Sequence, residues 1–108
     1  MNIERLLNDL PDMPEIRVVA APRFPLGRIV ATARALRELL PGEIMCALAR
    51  HAKGDWGDVS EDDEIRNNLA VRDGSRIISA YRNELGKRFW VITECGRSVT
   101  TVIFPDED

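Results

Sequence analysis

The stretch "SRIISAYRNELGKRFWVITECGRSVTTVIFP", Ser75–Pro105, decides the fold. It holds three runs rich in β-branched and aromatic residues, SRIISAYR, KRFWVITE and SVTTVIFP. Such residues suit a pleated surface, and the links NELGK and CGR are short enough for hairpins, so the three runs predict an antiparallel meander. Alternation then puts Phe89, Val91 and Thr93 on one face and Trp90, Ile92 and Glu94 on the other. One of these faces must meet helices.

The helices lie upstream. Ser60 followed by Asp63 approximates a capping box, and the acids in the first turn suit the helix dipole. The spacing predicts a helix from there to about Arg72 that buries Ile65, Leu69 and Val71 and stops at Asp73-Gly74. Pro41 suits the first turn of an earlier helix, in which Ile44, Ala47, Leu48 and His51 form one stripe and Gly54 is the stop. Before it, "LGRIVATARALRELL" reads as a strand over Gly27–Ala31 running into a helix capped by Thr32.

The fold class is therefore α+β, with three short helices packed on one face of a small antiparallel sheet that ends in the three-stranded meander. Residues 1–25 read as a separate N-terminal part. Ile3, Leu6, Leu7 and Leu10 make one face of a short helix, and four prolines between Pro11 and Pro25 make an arm around EIRVVAA, either an edge strand or a reach toward a partner. Residues 26–108 form the single α+β domain. The final PDED reads as a solvated tail.

Composition narrows the function classes. A net charge of -3 over 108 residues argues against a general phosphate-binding surface, although the hairpins hold Arg76, Arg82, Lys87, Arg88 and Arg97 beside Tyr81 and Trp90, where bases could stack. The first residues, MNIERLLNDLPDMPE, carry acids where a secretory leader would carry a basic end, and no apolar run is long enough for a membrane span, so a cytoplasmic location is expected. Cys46 and Cys95 have no C-x-x-C spacing and read as a reduced, half-buried pair.

The densest stretch chemically is "RHAKGDWGDVSEDD", Arg50–Asp63, which contains the only histidine and one of two tryptophans. His51 with Asp55, Asp58 and Glu94 is too poor in histidine for a metal signature; neither metal nor cofactor is expected. RNA cleavage would need a base, an acid and a cation, roles for which His51, Glu94 and Arg97 are candidates, with Thr100 or Thr101 as phosphate donors. The competing reading is a corner: a histidine at the negative end of a helix dipole, followed by a Gly-Asp-Trp-Gly turn whose indole covers the core. The corner is favoured.

From Leu48 to Pro105, the combination of LARHAKGDWGD, a short acidic helix, ISAYR and WVITECGRSVTTVIFPDE resembles a small family of plasmid- and phage-borne bacterial proteins labelled plasmid-related. Cys95-Gly96 stands where that pattern has Ala-Asp, at a hairpin tip. The resemblance implies a mobile-element setting and carries over no catalytic residues. The leading expectation is thus an accessory protein that binds a protein partner or its own copy, with Trp56, Arg88, Trp90 and Arg97 as binding residues and the SVTTVIF strand as an exposed edge for dimer formation. The alternative is a metal-independent endoribonuclease toxin using His51, Glu94 and Arg97.

Overall fold

The computed structural model describes residues 21–108; the Ile3–Leu10 helix and the EIRVVA segment lie outside the described residues. In chain order the elements are β1 (Arg28–Ala31), α1 (Ala33–Glu38), α2 (Pro41–Ala52), α3 (Glu61–Asp73), β2 (Ile77–Arg82), β3 (Arg88–Thr93), β4 (Val99–Ile103) and a closing 3-10 turn over Pro105–Glu107. The α+β architecture and the meander are as the sequence predicts. The sheet order is β1-β4-β3-β2, with the meander pairs antiparallel and β1 joined to β4 in parallel, so the sheet is mixed.

That fourth strand corrects one expectation. SVTTVIF is not an edge, because β4 is paired on both sides. β1 can lie close beside it because Gly27, at φ +65°, sits against the hairpin tip; a Cβ there would come within 2.4 Å of the Arg97 carbonyl oxygen. Only glycine takes that conformation without penalty and leaves that space.

Register places Ile77, Ser79, Tyr81, Phe89, Val91, Thr93, Thr100 and Val102 on one face, the inner one. There Ala35 of α1, Leu39 just after it, and Ala47 and Leu48 of α2 join Tyr81, Phe89, Val91, Val102 and Phe104 in the main core. The local signals behave as read: Thr32 accepts from the Ala35 amide, Pro41 opens α2, and Ser60 accepts from the Asp63 amide. Gly74 closes α3 in the left-handed conformation.

The buried side of α3 is not the one its apolar spacing indicates. Ile65 and Leu69 are 55% and 58% exposed, while Asn67 and Ala70 are buried and Val71 is partly so. The reason is the position of the helix along the β2 edge. Asn67 donates from Nδ2 to the Ile78 carbonyl at 2.9 Å and accepts from the Ile78 amide at 3.4 Å, so its amide group completes the strand's outward hydrogen bonds. A second core cluster beneath it joins Phe24, Trp56, Ala70 and Ile77. The packed body thus reaches back to Phe24.

Two smaller expectations also change. Cys46 and Cys95 are both exposed thiols rather than half-buried ones. The PDED end is tied down: Asp106 pairs with Arg34 at 2.6 Å, Glu107 accepts from the Thr32 hydroxyl, and Asp108 pairs with Arg76 at 3.1 Å.

Candidate functional site

The GDWGD stretch forms an edge plug. Ala80 donates its amide to the Trp56 carbonyl and its own carbonyl accepts from the Asp58 amide, so Trp56–Asp58 pairs with β2 beyond the point where Asn67 does. Gly57 makes this possible, since a Cβ there would lie 2.1 Å from the Ala80 oxygen. Asp55 fixes the turn by accepting from Arg50 at 2.7 Å and from the Gly57 amide, and the Arg50 guanidinium holds its carboxyl below the usual carboxylate range. The Trp56 indole is 3% exposed and donates to Asn68 Oδ1 at 3.0 Å. Tyr81 is buried as well, its hydroxyl donating to the Asp55 carbonyl at 2.6 Å, and burial pushes its pKa up to about 12.

His51 is 0% exposed and sits in a chain of buried hydroxyls. Its Nδ1 lies 2.6 Å from Ser79 Oγ and its Nε2 2.8 Å from Thr93 Oγ1; Thr93 Oγ1 is 2.7 Å from Thr100 Oγ1, which donates to the Leu26 carbonyl at 2.6 Å. A carbonyl can only accept, and that fixes the hydrogens from Leu26 back to Nε2. Thr100 gives its proton to Leu26, so Thr93 donates to Thr100 and must accept from Nε2–H. Burial, reinforced by the Arg97 charge, lowers the ring's pKa to about 4, so it is neutral with its proton on Nε2, and Nδ1 accepts from Ser79.

Ribonuclease chemistry asks His51 to face an open phosphate-sized space with Glu94 and Arg97. Both ring nitrogens are instead engaged inside the protein, with Phe24 and Trp56 packed edge-on against the ring. Thr100, the suggested phosphate donor, is buried in the same chain. Glu94 accepts from Arg76 at 3.1 Å. Arg97, at φ +62°, donates to the Ala70 carbonyl at 2.5 Å and the Ser75 carbonyl at 2.6 Å, which ties the hairpin tip to the C-terminal end of α3 and the loop after it. The structure does not bring the three together at an opening. Among the described residues no group of three or more His, Cys, Asp or Glu side chains is placed to hold a metal ion.

Of the candidate binding residues, the fold brings Arg88 and Trp90 together and uses Trp56 and Arg97 internally. Ile78, Ala80, Arg82, Arg88, Trp90, Ile92, Thr101 and Ile103 share the outer face of the sheet. Ala80 and Ile92 are its buried floor, whereas Ile78, Trp90, Val99, Thr101 and Ile103 are partly exposed. Beside α3 this face dips into a groove of about 240 Å³ lined by Arg66, Asn67, Arg76, Ile78, Arg88 and Trp90, among others.

Electrostatics decides what such a groove suits. Its arginines are engaged internally: Arg66 with Asp63 and Arg76 with Glu94 and Asp108, while Arg88 donates to the Asp58 carbonyl; Arg82, nearby on the same face, pairs with Asp58. Nucleic-acid affinity needs cations free to displace counterions from phosphates. Among the described residues only Arg88 of these lacks an acidic partner, so little of the rim's charge is free for that, and a partly exposed aromatic centre lies beside it. The signal legible in the sequence was the alternation that set Trp90 on the face opposite Phe89 and Val91; the flanking role of α3 had none.

No family model matches the chain, and no curated protein or solved structure matches it. Among the described residues no helix is long and apolar enough to cross a membrane.

Proposed function

We propose that this chain is a small binding protein, an accessory of the mobile-element kind its motifs suggest, that docks a protein partner on the outer face of its sheet. The observation that supports this is the face itself. α1, α2 and α3 contact β4, β3 and β2, and the main core lies on the inner side. The outer side keeps an apolar centre around Trp90, ringed by Arg76, Arg82 and Arg88 in ion pairs or backbone hydrogen bonds. Tryptophan and arginine are the residues that most often anchor protein interfaces, and burying them in a water-excluded centre supplies most of the binding energy.

The test is a photo-crosslinking residue at Thr101, in the middle of this face, compared with one at Leu36 on α1. In the cell that makes the protein, a discrete protein adduct at position 101 and none at 36 is the expected outcome, lost on Trp90→Ala. A nuclease-sensitive adduct would replace the reading with a nucleic-acid one, and equal or absent labelling at both positions would remove it.

A further inference from the structure

The two edges of the sheet are finished differently. At β2 the outward backbone groups of Ile78 and Ala80 are taken by the Asn67 amide and by Trp56–Asp58. At β1 the groups bonded to β4 belong to alternate residues: the Arg28 amide donates to the Ser98 carbonyl and the Thr32 amide to the Val102 carbonyl, with Val30 between them in register with Thr101. In a parallel ladder the intervening residues turn their amides and carbonyls the other way. Those are Ile29 and Ala31, and among the described residues nothing pairs with them. The helices pack on β4, β3 and β2, and Ile29 is 49% exposed.

We infer that β1 is the self-assembly edge of this protein, pairing antiparallel with β1 of a second copy about a two-fold axis at Val30 and joining the two sheets into one. The register follows from which groups are open. A two-fold through Val30 sets Ile29 opposite Ala31 of the second copy and the reverse, and in an antiparallel pair such residues exchange both of their hydrogen bonds. Every outward amide and carbonyl of Ile29 and Ala31 is thereby used. Val30 meets Val30 of the second copy as a pair without hydrogen bonds, the arrangement in which side chains come closest. Arg28 falls opposite Thr32, so no like charges meet, while Ile29 on the inner face and Val30 on the outer each gain an apolar neighbour from the second copy. The pairing extends the outer face, to which Val30 belongs, across the two copies; it rests on the protein-binding reading only in sharing that face.

The experiment uses the whole chain with Cys46 and Cys95 replaced by Ser, followed by sedimentation velocity from low to high micromolar concentration. The expected result is a reversible dimer. Ile29→Pro removes only an outward amide, which an edge strand tolerates, and should weaken the dimer by at least about tenfold while the circular dichroism is unchanged. If that variant fails to fold, Ile29→Lys serves the same purpose. In the same background Val30→Cys should form a disulfide-linked dimer on mild oxidation, because facing Cβ atoms in such a pair lie about 4.5–5.5 Å apart. A monomer at every concentration overturns the inference while leaving the outer-face reading to its crosslinking test. A dimer that resists Ile29→Pro and dissociates on Trp90→Ala also overturns it, and moves self-association to the outer face.

Discussion

Acidification should destabilise this protein through a single imidazole. His51 is the chain's only histidine, so between neutral pH and the carboxylate range it is the one side chain whose ordinary pKa is crossed. In the folded protein its pKa is lowered to about 4, chiefly by burial; in the unfolded chain it returns to its ordinary value of 6.5. The folded state therefore takes up fewer protons. The associated stability is fully present above pH 6.5, is lost as pH falls, and levels off below about 4. The full difference corresponds to about 3 kcal/mol, a large share of what holds a domain of this size together. The structural cost is concrete: a protonated ring has two donors, so Ser79 must give up its donation to Nδ1. Urea midpoints measured from pH 7.5 to 4.5 should fall steeply below pH 6.5 in the native chain and much less in His51→Gln, even though that variant starts less stable. Asp55, Asp73 and Asp106 have carboxyl pKa values held below the usual range, so their losses come at lower pH and do not mask the effect. A flat wild-type profile across that window, equal slopes in both proteins, or an imidazole titrating near 6.5 in NMR spectra would refute the reasoning.

Trp56→Ala should cost roughly 3 kcal/mol or more in denaturant unfolding, since it removes the buried ring packed against both Phe24 and His51 and takes the indole donor from Asn68; a loss below about 1 kcal/mol would place the indole outside the core. Ile65→Gln and Leu69→Gln, on the exposed side of α3, should each change stability by less than about 0.5 kcal/mol, whereas burial of that side would make either change cost several times more.

Those last two residues mark where sequence reasoning stopped. Caps, stops and hairpins were legible because each depends on a few neighbouring residues: Thr32, Pro41, Ser60 and Gly74 do what such residues do locally. His51 was correctly placed on the inner stripe of α2, and Trp90 on the face opposite Phe89. The burial of Asn67 in preference to Leu69 had no local signal. It depends on α3 lying against a strand edge, where a side-chain amide matching a backbone amide is better than a hydrocarbon. The parallel entry of β1 beside β4 was hidden for a similar reason, since periodicity describes an element's faces and says nothing of which strand a distant segment will join. The same gap put the open edge at β4, and it hid that GDWGD, favoured as a corner between two helices with its indole over the core, also closes a sheet edge with its backbone.

The hydroxyl chain through His51 also selects among misfolded alternatives. Its members come from positions 26, 51, 79, 93 and 100, which belong to the entry loop, a helix and three different strands. Sliding β3 against β4 by a single residue would turn Thr93 and Thr100 to opposite sides of the sheet, strand the imidazole in hydrocarbon and leave Leu26 without its donor. A hydrophobic side chain tolerates being displaced by one position far better than a polar one left without a partner. Alternative pairings are thus penalised at several points simultaneously, and none of those penalties is relieved until the entry loop, α2 and all three strands have arrived. The price of keeping one histidine unprotonated in the interior is returned as a sequence that accepts only one alignment of its strands.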